Sequence, residues 1–217
     1  MLTEFVGELR KALENPLPGM EAHLKVAPFI RRKSKDFLTP QENARKGGVL
    51  ILLYEDDEKN IRFPLIERST YDGAHSGQIS LPGGKMEEGE TLIETALRET
   101  EEEIGFPLQS VRVVGLLSKI YVTVSNFSVQ PVLAYTGEKP RFIPEPHEVE
   151  RLIEAKLADL VDVNRVKKKE IKTALGFSVV SPYFDLEENV VWGATAMILS
   201  ELVEIIQRSA ELRAILS

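Results

Sequence analysis

The segment between Gly83 and Gly105 constrains the fold of this chain most tightly, because it predicts one helix with defined ends. Residues 91–104 contain no proline, and Gly89 and Gly105 bracket them. At about 100° per residue, the residues that fall on one apolar stripe are Ile93, Ala96, Leu97, Thr100 and Ile104. The sequence therefore predicts an amphipathic helix over 91–104 that packs this stripe against a core.

The same segment holds most of the excess negative charge of the chain. Eight acidic and two basic residues lie in it, and they account for six of the seven net negative charges. Glu99, Glu102 and Glu103 stand at i, i+3 and i+4, so their carboxylates share one side of the helix. Like charges at this spacing destabilise a helix unless a cation compensates, and Mg²⁺ prefers such oxygen ligands. The pattern is typical of a divalent-metal site, and a solvated acidic face is the alternative.

Apolar runs elsewhere in the chain predict a mixed α and β architecture. Strands are expected at Val49–Tyr54, Phe63–Glu67, Val111–Leu117, Phe127–Tyr135, Phe177–Phe184 and Asn189–Trp192. Helices are expected at Thr3–Leu13, Glu148–Leu160 and Ala194–Leu212. Because strands and helices do not alternate regularly, the order favours an α+β fold or an α/β/α sandwich with a mixed sheet.

Composition narrows the chemistry further. The 217 residues include no cysteine, which excludes disulfides, cysteine metal sites and thiol nucleophiles. No window reaches the ~18 consecutive apolar residues of a membrane span. The first residues carry acids where a signal peptide needs an apolar run, and the acidic balance disfavours nucleic-acid binding. We therefore expect a cytoplasmic protein with neither a membrane nor a nucleic acid as partner.

The acidic helix and the loop before it resemble the Nudix box. That pattern is Gly, five residues, Glu, seven residues, then Arg-Glu-U-x-Glu-Glu-x-Gly-U, where U is a bulky apolar residue. Its fixed positions are met here by Gly84, Glu90, Arg98, Glu99, Glu102, Glu103 and Gly105. Thr100 departs from the pattern at the first U position, where its methyl group can still pack.

The resemblance implies an α/β/α sandwich with a mixed central sheet, in which the box forms a loop-helix-loop. It also implies hydrolysis of a nucleoside diphosphate linked to a further group, with Mg²⁺ or Mn²⁺ as cofactor. The implied metal ligands and catalytic residues are Glu99, Glu102 and Glu103, with Glu102 best suited to accept a proton. A main-chain carbonyl near Gly83 is a further expected ligand. Glu90 and Arg98 are expected to pair and to orient the helix.

The residues before the box resemble the coenzyme A pyrophosphatase branch of the family. The matching positions are Leu65, Arg68, Ser69, Gly77, Pro82, Gly83 and Gly84, whereas Gly73 and Leu81 replace an Arg and a Phe. This resemblance implies cleavage of coenzyme A into 3′,5′-ADP and 4′-phosphopantetheine. The expected substrate-binding residues are Arg68, Ser69, His75, Gly77, Gly83 and Gly84. Activity on ADP-ribose, NADH or a diadenosine polyphosphate stays open, as does a ligand-binding sensor without turnover.

The resemblance extends from Gly47 to the end of the chain. Residues 47–217 are therefore expected to form the Nudix hydrolase domain, and residues 1–46 a helical or extended N-terminal extension that packs on it. The extension carries a basic cluster at Arg31, Arg32, Lys33 and Lys35. Glu145 and Glu148 lie where a loop leads into the helix expected at 148–160, and the sequence does not select which of them supplies an extra metal ligand or base. A small-molecule nucleotide is the expected partner, and a monomer and a homodimer are both left open.

Overall fold

The structure is a computed structural model that describes residues 1–28, 40–69, 77–173, 176 and 178–216. Its helices are α1 (Leu2–Leu13), α2 (Met20–Val26), α3 (Leu92–Ile104), α4 (Leu157–Val161), α5 (Gly193–Arg208) and α6 (Ala210–Leu216). Short 3₁₀ turns lie at Leu108–Ser110 and Val163–Arg165. The basic cluster at 31–35, Gly73 and His75 lie outside the described residues. Within those residues, no helix has the length and apolar character needed to cross a membrane.

In the described ranges, eleven strands form two sheets. They are β1 (Arg45–Glu55), β2 (Ile61–Arg68), β3 (Ile79–Ser80), β4 (Gly83–Lys85), β5 (Val111–Leu116), β6 (Ile120–Val122), β7 (Phe127–Thr136), β8 (Val149–Lys156), β9 (Val166–Lys172), β10 (Ser178–Leu186) and β11 (Asn189–Val191). The larger sheet has the order β3-β2-β1-β7-β5, with β4 paired to β1, β6 to β7 and β8 to β2. Strands β9, β10 and β11 form the smaller sheet. Strand β1 runs parallel to β7 and antiparallel to β2 and β4, so the expected mixed central sheet is confirmed.

The central strand β1 separates two hydrophobic layers. Successive side chains of a strand point to opposite faces, and all five apolar residues at 50–54 are fully buried. Leu50 and Leu52 pack in the cluster that contains Ala96 and Ile104 of α3. Ile51 and Leu53 pack instead in the cluster to which α1 and α5 contribute. The sheet is therefore covered by helices on both faces, as in an α/β/α sandwich.

Helix α1 belongs to the core on the face opposite α3. It spans Leu2–Leu13, which confirms the helix expected at 3–13. Its buried residues are Leu2, Phe5, Val6 and Leu9, at the spacing of one helical face. These side chains join the same cluster as Ile51 and Leu53 of β1. The division of the chain at residue 47 stays a prediction.

The helix expected at 148–160 is wrong. Strand β8 (Val149–Lys156) occupies most of this segment and pairs antiparallel with β2, and only Leu157–Val161 is helical. Val149, Ile153 and Leu157 are buried and stand four residues apart. A spacing of four fits one side of a helix, but it also fits one face of a strand, because four is an even number. The open edge of β2 decides between the two, since pairing satisfies backbone groups along both strands.

The last helix also differs from the expected range of 194–212. Helix α5 begins at Gly193 and ends at Arg208, and a separate helix α6 follows. Ser209 between them has extended backbone angles (φ −104°, ψ 123°), and its hydroxyl accepts a hydrogen bond from the backbone N–H of Leu212 at 3.2 Å. The Ser209 side chain caps the start of α6 and so favours a break after α5. The spacing of apolar residues does not reveal this break.

Candidate active site

The acidic helix α3 begins and ends where local side-chain chemistry places its caps. The Thr91 hydroxyl accepts from the backbone N–H of Glu94 at 3.3 Å, and the Glu94 carboxylate accepts from the N–H of Thr91 at 2.7 Å. This reciprocal capping box satisfies two N-terminal donors. Gly105 ends the helix in the left-handed conformation (φ 65°) and donates to the Glu101 carbonyl at 2.8 Å. The helix expected at 91–104 is confirmed at Leu92–Ile104.

Two glycines of the preceding loop let the helix carboxylates approach the backbone. Gly83 has φ 141°, a value that side-chain-bearing residues rarely adopt. A Cβ atom on Gly84 would lie 2.2 Å from a carboxylate oxygen of Glu99, so a larger residue would displace this carboxylate from the backbone. Strand β4, which contains both glycines, pairs with Gly47–Val49 of β1 and is thereby fixed to the central sheet.

Glu103 is the most buried carboxylate of the box, with 1% of its surface exposed. One of its oxygens accepts from the backbone N–H of Gly83 at 2.7 Å, and the other lies 3.1 Å from Nη2 of Arg68. Burial raises the pKa of Glu103 to about 7, although Arg68 and the Gly83 N–H partly offset it. The neighbouring charges of Glu99 and Glu148 raise this pKa further. The surroundings of Glu103 therefore favour an added positive charge.

The other two box carboxylates differ in exposure. Glu99 lies against Gly84, and its side chain is 18% exposed. Burial raises its pKa, while Arg98, whose Nη2 is 3.0 Å from Glu99 Oε1, acts in the opposite direction. The Glu102 side chain is 56% exposed and is held by Nη1 of Arg98 at 2.8 Å. Glu99 and Glu103 thus face the glycine loop, and Glu102 lies toward solvent.

Arg98 joins the helix to the loop. Its Nε donates to Glu90 at 2.6 Å and its Nη2 donates to the Lys85 carbonyl at 3.1 Å. Glu90 also accepts from the N–H of Glu87 and from the hydroxyl of Thr95, each at 2.9 Å. Arg98, followed by these donors, holds the pKa of Glu90 down at about 2. This network fixes the orientation of α3 relative to the loop.

Arg68 lies at the end of β2 and reaches the same loop. Its Nη2 donates to the Gly83 carbonyl at 2.8 Å, in addition to its contact with Glu103. The backbone N–H of Arg68 donates to the Gln78 carbonyl at 3.1 Å, and its carbonyl accepts from the N–H of Gly77 at 3.2 Å. The expected substrate-binding residues Arg68, Gly77 and Gly83 are therefore adjacent in space.

Ser69 and Glu148 complete this side of the site. The N–H of Ser69 donates to the Glu148 carbonyl at 3.0 Å, and the Ser69 hydroxyl is buried without a hydrogen-bond partner within the described chain. The Glu148 side chain is exposed, and its charge raises the pKa values of both Glu99 and Glu103. Sequence reasoning did not separate Glu148 from Glu145, and the structure places both near the box helix. The backbone N–H of Glu145 donates to the Glu103 carbonyl at 2.9 Å, and the pairing of β8 with β2 brings Glu148 beside Ser69.

The oxygen donors of the site suit a hard divalent cation. Carboxylates of Glu99 and Glu103 and the carbonyl of Gly83 are the ligand types that Mg²⁺ takes, usually in combination with water and substrate phosphates. As the described side chains stand, no three acidic or histidine residues converge closely enough to enclose an ion by themselves. Instead, Arg68 and Arg98 contact the three box carboxylates. The donor set fits a hard divalent cation, and the guanidinium groups of Arg68 and Arg98 place positive charge beside it.

The α/β/α sandwich, the glycine loop and the acidic helix packed on the central sheet are the features that the Nudix box predicts. The chain belongs to the Nudix family, because the NUDIX domain model matches residues 44–176. It is 38% identical over 163 residues to Nudix hydrolase 15, mitochondrial, of Arabidopsis thaliana, across 71% of this chain and 56% of that protein. The chain thus spans little more than half the length of this relative.

A bacterial relative is matched over more of its length, and a solved structure shares the fold. The chain is 31% identical over 171 residues to the uncharacterized Nudix hydrolase NudL of Pectobacterium atrosepticum, across 76% of this chain and 84% of that protein. The crystal structure of a Nudix hydrolase from M. smegmatis, RenU, superposes with a TM-score of 0.55 at 17% identity, across 81% of this chain and 96% of the other. The latter similarity supports the fold alone.

Proposed function

We propose that this protein is a Mg²⁺- or Mn²⁺-dependent hydrolase of the diphosphate linkage in a nucleoside diphosphate derivative. The observation that carries the proposal is the placement of two glutamates of one helix, the half-buried Glu99 and the buried Glu103, against the backbone of Gly83 and Gly84. Such a set of oxygen donors beside cationic arginines suits a substrate whose reacting group is a chain of anionic phosphates.

Each residue of the site has a distinct part in this reaction. Glu99, Glu102 and Glu103, with the Gly83 carbonyl, would hold the metal. When bound, the metal supplies charge neutralisation for the diphosphate and lowers the pKa of a water molecule. Glu102, which is exposed, is our candidate proton acceptor, and Glu148 is the second candidate. Arg98 positions the helix through its contacts with the loop.

The proposed substrate is coenzyme A, with 3′,5′-ADP and 4′-phosphopantetheine as products. Support comes from the segment that runs from the end of β2 to β4. Its branch positions Arg68 and Gly83 contact Glu103, and Gly77 donates to the Arg68 carbonyl. A guanidinium group is suited to phosphate because its forked donors can form two parallel hydrogen bonds. We further propose that the protein acts in the cytoplasm on this small molecule, as a monomer or a homodimer.

Metal dependence is the first test. Hydrolysis should stop in excess chelator and return with MgCl₂ or MnCl₂, with products identified by mass spectrometry. Unchanged turnover in chelator would contradict the metal-dependent reaction, because the protein would then hydrolyse its substrate without a cation bound to the three carboxylates.

Substrate choice needs a comparison of kcat/KM for coenzyme A, dephospho-coenzyme A and ADP-ribose. Coenzyme A should be preferred to dephospho-coenzyme A, because a cationic contact to the 3′-phosphate favours it. Arg68→Gln, or Arg31→Gln together with Arg32→Gln, should reduce the ratio of kcat/KM for coenzyme A to that for dephospho-coenzyme A. The same variants should change kcat/KM for ADP-ribose less. Arg62→Gln is the matched control, because Arg62 lies on the same strand and pairs with Asp56 instead of the box. A preference for ADP-ribose, or no response to the 3′-phosphate, would contradict the coenzyme A assignment and leave the hydrolase assignment standing.

A further inference from the structure

We propose that Arg68 occupies the position of the divalent cation in the metal-free protein, and that metal binding must displace its guanidinium group. This inference rests on the proposed metal-dependent function and adds a competitor for the metal that is built into the chain. Its basis is the pair of oxygen atoms that Arg68 contacts. One nitrogen, Nη2, lies 2.8 Å from the Gly83 carbonyl oxygen and 3.1 Å from Oε1 of Glu103.

These two oxygens are also proposed ligands of the metal. A cationic N–H group and a divalent ion have the same preference for them, and two positive charges in one small site repel each other strongly. The Gly83 carbonyl oxygen and Glu103 Oε1 therefore do not bind the Arg68 guanidinium group and the metal at the same time. Metal binding weakens the contact of Arg68 with these oxygens, and this contact weakens metal binding by the same coupling free energy.

The backbone around Arg68 restricts the exchange to the side chain. Hydrogen bonds with Gln78 and Gly77 hold the backbone N–H and carbonyl of Arg68, and β2 pairs with β8 up to this position. Glu103 stays in place because its second oxygen accepts from the Gly83 N–H at 2.7 Å. Rotation about the side-chain bonds of Arg68, whose side chain is 24% exposed, is then sufficient to vacate the two oxygens.

Arg98 differs from Arg68 in this respect. Its guanidinium group is anchored to Glu90 by two hydrogen bonds of 2.6 and 3.2 Å and to the Lys85 carbonyl. These partners lie outside the proposed ligand set, so Arg98 can remain when Glu99 and Glu102 bind a metal. The hydrogen bonds made by the Arg68 guanidinium to the described residues instead go to the ligand set itself. Arg68 is therefore the residue displaced.

The test is calorimetric titration of MgCl₂ and MnCl₂, without nucleotide, into wild type and Arg68→Gln at about pH 8.5, where carboxylates are ionised. We expect Arg68→Gln to bind the metal about tenfold more tightly, because the metal then no longer has to break the charge-assisted hydrogen bonds that Arg68 makes to its ligands. Melting temperatures give a second readout. Arg68→Gln should melt below wild type in chelator, and the difference should shrink or reverse at saturating metal.

Two control variants separate competition from a general effect of charge. Lys85→Gln removes a positive charge from β4, two residues from Gly83, without removing a contact to Glu103. Arg62→Gln removes an arginine from the same strand, where it pairs with Asp56 at 2.5 Å. Both should change metal affinity less than about twofold, since exposed or distant charges are screened by salt.

The outcomes distinguish this inference from the function on which it rests. Equal or weaker metal binding by Arg68→Gln, or an equal gain in Lys85→Gln, would overturn the inference while wild-type metal binding still supported the hydrolase. Wild-type protein that neither binds metal nor depends on it for turnover would overturn the proposed function, and the competition with it.

Discussion

Two glutamates of this protein are almost equally buried but lie in opposite electrostatic surroundings. Glu103 of α3 is 1% exposed, and Glu201 of α5 is 0% exposed. Burial raises the pKa of Glu103 to about 7. Burial also acts to raise the pKa of Glu201, but its hydrogen bonds outweigh this effect, and its pKa lies below the ordinary value. Burial alone therefore does not decide whether a carboxylate is stabilised in its charged form.

The difference lies in what surrounds each carboxylate. Glu201 accepts from the N–H of Gly19 at 2.8 Å and from the N–H and hydroxyl of Ser118 at 2.9 and 2.6 Å, and it pairs with Nε2 of His23 at 3.2 Å. These bonds join α5 to α2 and to the connection between β5 and β6. Glu103 has one backbone donor and one arginine, and like charges lie nearby. A carboxylate with many donors holds a structure together, whereas one with few donors favours binding a cation.

The largest expected effect is on turnover, from Glu103→Gln. This change keeps the shape of the side chain but removes a metal ligand, and we expect ~10²-fold or greater loss of turnover. Glu102→Gln should have a loss of the same order. Metal-free Glu103→Gln should melt at or above the wild-type temperature, because a poorly compensated buried charge is gone. Glu101→Gln is the control, because the box pattern leaves this position of the same helix unspecified. Full activity in Glu103→Gln would contradict the assigned role.

The second prediction is that substitution of Glu201 lowers stability and leaves turnover unchanged, the opposite of the effect expected for Glu103. Glu201→Gln should lower the free energy of unfolding by about 3 kcal/mol, because it removes a buried carboxylate whose oxygens accept several hydrogen bonds and leaves donors without an acceptor. Turnover per folded molecule should stay near wild type. Denaturant titration measures the first and steady-state kinetics the second. Glu204→Gln on the same helix, which pairs with Lys25 and Arg208 near the surface, should cost less. A stable Glu201→Gln protein would show that the network does not hold α2 to α5.

Arg98→Ala should lower both turnover and stability, whereas Glu103→Gln lowers mainly turnover and Glu201→Gln mainly stability. It leaves Glu90, which is 17% exposed, without its main partner and frees the helix from the loop. We expect a lower melting temperature and a loss of turnover of roughly 10- to 100-fold, as displacement of catalytic groups by about 1 Å can produce. Wild-type stability together with wild-type kinetics would show that the Glu90–Arg98 contact has no role.

The smallest expected effect is the dependence of stability on pH, measured in chelator. The pKa of folded Glu201 is below its unfolded value near 4.5, so the unfolded state binds more protons there and stability falls as pH drops below that value. The pKa of folded Glu103 is about 7, so the folded state binds more protons between about 4.5 and 7 and this group lowers stability as pH rises through that range.

The two variants separate these contributions. Glu201→Gln should remove part of the loss of stability in acid, and Glu103→Gln should remove the decline toward neutral pH. Unfolding free energies at a series of pH values, compared with wild type, give both differences. Identical profiles for the two variants would show that the surroundings of the two carboxylates are not opposed.

The sequence by itself determined the acidic helix and the family. The ends of α3 depend on Thr91, Glu94 and Gly105, whose contacts lie within a few residues along the chain. The spacing of Glu99 and Glu103 by four residues likewise places them on one side of the helix. Local patterns of this kind are readable because each partner lies within one or two helical turns.

Only the tertiary structure decided which parts of the chain meet. The alternating and four-residue spacings of 149–157 fit a strand as well as a helix, and the open edge of β2 selected the strand. That pairing brought Glu148 beside Ser69, and the end of β2 brought Arg68 to Gly83 and Glu103. His23 and Glu201 meet across 178 positions of sequence. Such contacts depend on how separate elements pack, and the free energy of packing belongs to both partners rather than to either segment alone.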